Sequence, residues 1–314
     1  MTLHIELDRY LTLRRSLGYK LREDESVLRR FLDFAAAEGD SCISTELFLR
    51  WQGSFGRARQ QTWGGRYSMV RLFAEWLHGQ DQRHEIPPRG LVPRRAKRPR
   101  PYIYSDTEIT SIVTAAARLP SIYGLRGLTY STFFGLIAAT GLRLGEAIGL
   151  DGKDVDLIQG SLYIRSGKFG KDRLLPLESS VVAHLCAYAK ERDRLLGHTP
   201  PSFFVKCSGK RIGIDGAQYN FAQIGQRVGL REARRAYGYG HGPRIHDLRH
   251  SFAVRTMIGW YRAGKDPARE MIKLSTWLGH ADPKHTYWYI EAVPELLDLA
   301  SQRAEISLAK EMLP

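Results

Sequence analysis

The chain has 314 residues, 43% hydrophobic and 25% charged, a globular composition long enough for two domains with their own cores. Lys and Arg number 47 against 33 acids, a balance of +14, which points to a polyanionic partner and to nucleic acid first. No apolar run approaches the ~20 residues that span a bilayer, and "MTLHIELDRY" lacks a signal-peptide pattern. The expected location is therefore cytoplasmic, with no membrane partner. Cys42, Cys186 and Cys207 are too scattered for a disulfide framework or a cysteine zinc site. They read as reduced thiols used as small hydrophobes.

Residues 3–79 carry four apolar stripes at helical spacing. Leu7, Tyr10 and Leu11 make the first; Val27, Leu28, Phe31 and Leu32 the second. Ser44-Thr45-Glu46 opens a third helix running through Trp51, and a fourth runs from Gln60 to Leu77. This is a small all-α bundle, assigned to residues 1–86. "PPRGLVPRRAKRPRP" (residues 87–101) then holds five prolines, six basic residues and no acid. Proline prevents a regular helix there, so residues 87–102 read as an extended basic linker. A solvated tether is one reading; a tether along phosphates through Arg94, Arg95, Lys97 and Arg98 is the one the charge favours.

The second domain is assigned to residues 103–314 and opens with a capping-box pattern, Ser105-Asp106-Thr107-Glu108. After Leu150 the period becomes strand-like, and "SLYIRS" and "DRLLPL" flank "GKFGK" as a β-hairpin. Helices are expected over Ser179–Leu196, Gln218–Val228 and His246–Tyr261, on both sides of Leu278–His280, and after Pro294. The fold class is mainly α, with a small antiparallel sheet in the second domain.

Four stretches carry chemistry-bearing side chains. "ATGLRLGEAIGL" sets Arg143 and Glu146 on one face of a helix start, and "SGKFGKDRLLPL" puts Lys168 at a hairpin tip. "IHDLRHSFA" aligns His246 and Arg249, and "LGH" supplies His280, nine residues before Tyr289. In this order and spacing they resemble the tyrosine recombinases, the phage-integrase family of site-specific DNA recombinases, over roughly residues 103–300. The N-terminal bundle is similar to the family's SAM-like core-binding domain. The tail resembles recombinases of mobile elements.

The resemblance implies a C-shaped clamp on double-stranded DNA at specific sites. It also implies a homo-tetramer or mixed recombinase assembly, nucleoid association, and no cofactor or metal. Tyr289 would be the nucleophile forming a 3′-phosphotyrosine, and Arg143 and Arg249 would clamp the phosphate oxygens. His246 would accept a proton, Lys168 would protonate the leaving 5′-oxygen, His280 would bind phosphate, and Glu146 would orient its neighbours. The chemistry fits: two permanently charged, bidentate guanidiniums suit charge building on non-bridging oxygens. A phenol with a pKa near ~10 needs a base or cationic surroundings. A type IB topoisomerase would use a similar set, and a regulator that has lost catalysis is a rival from another class.

Blander readings stand beside these. Lys171 and Arg173 compete with Lys168 for the hairpin role and read as phosphate contacts or solvated residues. His246 and His250 stand four apart as in a zinc motif, but Asp247-Leu248-Arg249 lie between them without the required Glu. Positions 287 and 289 lie about 200° apart on a helix, so only one tyrosine can face the site. The spacing from His280 favours Tyr289, with Pro283 starting its helix. Residues 228–244, with Arg234, Arg235 and Arg244, read as a loop on the DNA backbone. The amphipathic stretch after Pro294 docks either on a neighbouring subunit or on its own domain.

Overall fold

The apolar stripes of the first 80 residues form four helices: α1 (Leu3–Ser16), α2 (Arg22–Ala37), α3 (Thr45–Ser54) and α4 (Gln60–His78). The structure, a computed structural model, describes residues 2–54, 60–92, 100–121, 123–165, 172–232, 242–280, 282 and 284–311. The chain divides into two compact units, Met1–Pro99 and Arg100–Pro314.

In the first unit Leu7, Leu11, Leu28, Phe31, Phe48 and Phe73 are buried together. Its aromatic residues meet edge to face, with Trp51 and Trp63 at 5.4 Å and Phe48 and Tyr67 at 4.9 Å between ring centroids. The Ser44 hydroxyl accepts the Leu47 N–H at 3.0 Å and caps α3. The proline-rich segment does not leave this unit at Pro87. The Tyr67 hydroxyl donates to the Pro88 carbonyl at 2.5 Å, and Val92 packs on the same core.

The second unit starts with α5 (Asp106–Ala117), whose capping box is complete: the Ser105 hydroxyl takes the Glu108 N–H and Glu108 takes the Ser105 N–H. Next comes α6 (Leu125–Thr140), then α7 (Leu144–Gly149). Phe133, Phe134, Leu136 and Ile137 are all buried on α6, so apolar surface surrounds it and it becomes the central helix. An antiparallel sheet follows in the order β1 (Val155–Asp156), β2 (Ser161–Ile164) and β3 (Arg173–Pro176). Leu162 faces Leu175 and Ile164 faces Arg173 across the β2–β3 pair. The alternating pattern buries Leu162, Ile164 and Leu175 and exposes Tyr163 and Leu174.

The remaining helices are α8 (Ser179–Leu196), α9 (Ile214–Arg227), α10 (Ile245–Arg262), α11 (Pro267–Leu278), α12 (Lys284–Ala292) and α13 (Pro294–Glu311). α9 begins a turn earlier than its apolar pattern suggests: Gly213 is its N-cap and Gly216 lies in its first turn, where weak helix formers mask the start. Pro283, read as the start of α12, lies outside the described residues.

α13 packs on α10 and α12 of its own unit. Leu296 is fully buried there, and Arg303 donates to the Lys265 carbonyl at 2.6 Å. The cysteines are not core residues: Cys186 and Cys207 are exposed and Cys42 is half-buried. Among the described residues no helix is long and apolar enough to cross a membrane.

Candidate active site

The last carbonyls of a helix have no partners within it and carry the negative end of its dipole. At the C-terminus of α11, three consecutive carbonyls each receive an arginine. Arg173 Nε donates to Trp277 at 2.8 Å, Arg249 Nη2 to Leu278 at 2.6 Å, and Arg143 Nη2 to Gly279 at 2.7 Å. The end of α6 contributes from the other side. The Gly141 carbonyl accepts Arg249 Nη1 at 2.7 Å, and the Thr140 carbonyl accepts the Trp277 indole N–H at 2.8 Å.

Arg249, 1% exposed, is thus bridged between two helix ends. Burial, and then the nearby Arg143 charge, lowers its pKa to about 10, which leaves it charged at neutral pH. Both turns need glycine. Gly141 and Gly279 have φ of +66° and +63°. A Cβ at 141 would stand 2.5 Å from the Phe252 ring, and one at 279 would stand 2.9 Å from Arg173 Nη1.

Arg143 occupies the N-cap of α7, and Glu146 in the first turn reaches back to its backbone N–H at 2.9 Å and to its Nη1 at 2.7 Å. The same carboxylate receives Arg173 on both oxygens, at 3.0 and 2.8 Å. Burial alone would raise the Glu146 pKa. Hydrogen bonds from Arg173 and the Arg143 backbone, with both guanidinium charges, outweigh that and hold it at about 2. Arg173, read as a phosphate contact or a solvated residue, is neither free in solvent nor at the surface here. Its side chain is 10% exposed and is committed to Glu146 and to the end of α11.

α10 supplies the histidines. Asp247 accepts the Arg244 backbone N–H at 2.6 Å and fixes the first turn, while Ile245 and Leu248 anchor it in the core. His246 and His250, one turn apart, meet edge to face with ring centroids 4.6 Å apart at 85°. His246 keeps an exposed face although protein surrounds most of its ring. That crowding, and then the charges of Arg249, Arg244 and Arg143 against the opposing Asp247, lower its pKa to about 4. It is neutral at physiological pH.

His250 is 5% exposed, and its Nδ1 lies 2.7 Å from the hydroxyl of Tyr289, itself 1% exposed on α12. Tyr287 is 45% exposed, so the two tyrosines do lie on different faces. Tyr289 also sits within electrostatic reach of Arg249. Sequence reasoning gave His250 no role in this chemistry. Its one signal, a spacing of four from His246, was weighed only for zinc, and among the described residues no group of three or more His, Cys, Asp or Glu could hold a metal ion.

His280 is tied to α12: its Nδ1 meets Thr286 Oγ1 at 2.7 Å, which in turn meets Ser275 Oγ at 2.7 Å. The structure thus brings together Arg143, Glu146, His246, Arg249, His280 and Tyr289. The Arg244 side chain is 61% exposed. Lys168, Lys171, Arg94, Arg95, Lys97, Arg98, Arg234 and Arg235 lie outside the described residues.

A mainly helical unit that gathers permanent cations, a neutral imidazole and a buried phenol is equipped to hold a phosphate ester beside a tyrosine hydroxyl. Residues 105–295 match the phage integrase family, and the chain belongs to that family, the tyrosine-type site-specific DNA recombinases. It is 41% identical over 301 residues to the integrase/recombinase y4rB of Sinorhizobium fredii, covering 94% of this chain and 95% of the relative. It is 26% identical to the tyrosine recombinase XerC of Escherichia coli, covering 96% and 98%. Its fold is similar to that of the Tn1549 transposon integrase, solved in complex with transposon right end DNA. The TM-score is 0.64 at 16% identity, covering 97% of this chain and 99% of that one.

Proposed function

We propose that this chain cleaves and rejoins double-stranded DNA with Tyr289 as nucleophile and Arg143 and Arg249 as the phosphate clamp. The observation that carries the reading is the anchoring of both guanidiniums on the carbonyls of residues 278 and 279, close to a buried, hydrogen-bonded tyrosine hydroxyl. Two fixed guanidiniums oppose the charge that builds on the non-bridging oxygens as phosphorus becomes five-coordinate. Each terminal nitrogen carries a second hydrogen beyond the one given to a carbonyl.

His246, neutral and open on one face, suits a hydrogen bond to the phosphate. His280, held through Nδ1 by Thr286, is assigned a hydrogen bond to a phosphate oxygen. Lys168, between β2 and β3 in sequence, is assigned to protonate the leaving 5′-oxygen, and the 3′-phosphotyrosine conserves the energy of the broken ester, so rejoining needs no external energy source. Arg244, with the linker and loop arginines, is assigned to the DNA backbone.

Duplex DNA as partner is supported by the relatives named above, one of them solved on DNA. One nucleophilic tyrosine per chain implies four chains to cut both strands of two duplexes, either as a homo-tetramer or with sister recombinases. The reading places the protein in the cytoplasm, on the nucleoid.

The test uses a nicked duplex carrying the cognate site, which loses its 5′-hydroxyl fragment after cleavage and traps the covalent complex. Tyr289→Phe should bind and not trap, and Tyr287→Phe should trap. The reverse pattern would overturn the assignment.

A further inference from the structure

α10 presents two imidazoles on one face. His246 keeps an open side, whereas His250 lies beneath it, buried, with Nδ1 2.7 Å from the Tyr289 hydroxyl. Resting on the reading of Tyr289 as nucleophile, we propose that His250, rather than His246, receives the phenolic proton during cleavage.

The step balances as follows. Tyr289 Oη attacks phosphorus and forms the Oη–P bond while its proton passes to His250 Nδ1. The P–O5′ bond breaks, and O5′ takes a proton from Lys168 Nζ. In rejoining, the 5′-hydroxyl attacks, its proton returns to Lys168, and the departing Oη recovers the proton held by His250.

Three features favour His250 for this task. Its Nδ1 lies within hydrogen-bonding distance, 2.7 Å, of the hydroxyl whose proton must move, which is the first requirement of a general base. It is 5% exposed, so a proton stored there through the life of the covalent intermediate is shielded from solvent and available for the reverse step. It also immediately follows Arg249, whose side chain donates to the carbonyls of Gly141 and Leu278. The base and the phosphate clamp therefore ride on one rigid turn of α10, and the geometry that seats the phosphate also seats the proton acceptor. The role requires the His250 tautomer that carries its hydrogen on Nε2.

The experiment compares His250→Asn with the unaltered protein on the nicked duplex. Asparagine places an amide where Nδ1 stood, so it can hold the phenol but cannot take its proton. DNA affinity should be unchanged, and covalent trapping should slow by roughly 10²–10⁴-fold, the usual contribution of a positioned base. Nitrogen NMR of the unaltered protein should show His250 Nδ1 without hydrogen. Trapping by His250→Asn within a few-fold of the unaltered rate, or a hydrogen on Nδ1, overturns the proposal. The tautomer alone decides it if the variant fails to fold. Loss of trapping in Tyr289→Phe beside normal rates in His250→Asn sinks the proton assignment alone. Trapping by Tyr289→Phe sinks the nucleophile assignment and this one with it.

Discussion

Arg143 and Gly279, 136 residues apart in sequence, meet through a 2.7 Å hydrogen bond from guanidinium to carbonyl. The turn after α11 is therefore a structural part of the proposed phosphate clamp as well as the support of His280. Gly279→Ala tests this. The backbone at +63° is strained for any side chain with a Cβ, and the new methyl would press on Arg173 Nη1 at 2.9 Å and Arg143 Nη1 at 3.3 Å. Folding stability should fall by about 1–3 kcal/mol. Cleavage measured well below the melting temperature should fall much further than DNA affinity. Parallel losses in the two would show that the turn serves the fold only.

Glu146 neutralises two arginines, and its pKa of about 2 lies well below the ordinary 4.5. A carboxylate depressed in the folded state stabilises it fully above pH 4.5, and that contribution drains away as pH falls towards 2. The difference corresponds to roughly 3 kcal/mol. Glu146→Gln should therefore be destabilised by about that much at pH 7, because two guanidiniums lose their anion. Unfolding free energies followed from pH 7 to 2 should decline less for the variant than for the unaltered protein. Equal slopes below pH 4.5 would refute the pairing.

Arg173 is assigned to the interior, so it should not count among the phosphate contacts. Each contact contributes about −0.9 to the slope of log affinity against log salt. Arg173→Ala should leave that slope unchanged while lowering stability and cleavage. A slope shallower by about one contact would return Arg173 to the DNA surface.

The contrast between Arg173 and Arg143 shows what could be read from sequence. Arg143, His246, Arg249, His280 and Tyr289 stand in short stretches whose neighbours announce a helix start, a helix turn or a glycine-ended helix. Local spacing aligned residues within each stretch, and the resemblance to the recombinase family grouped the stretches into one site. Arg173 and His250 find their partners 27 and 39 residues away. A basic residue after a hairpin looks the same whether it faces solvent or a buried carboxylate. The helices of the first unit were legible because each buries a single stripe, and α6 because it is apolar almost all round. Composition cannot register the Tyr67–Pro88 hydrogen bond, which ties the start of the proline-rich segment to the first unit. The cysteines are unpaired as expected, but their exposure was not legible, because a small residue on an exposed face carries no periodic signal.

Thr286 offers the last test, because its hydroxyl is the link between His280 and Ser275. The residue is fully buried, and valine would fill the same space without the oxygen. Thr286→Val leaves two polar partners without their bridging hydroxyl, at a cost of about 1–3 kcal/mol. Adding Ser275→Ala removes one of the stranded groups and should recover part of that stability. Cleavage should behave differently. The imidazole of His280 stays unpinned in both variants, so the single and double substitutions should cleave equally slowly while binding DNA normally. If cleavage recovers together with stability in the double variant, Thr286 acts only through packing, and the orientation of His280 does not depend on it.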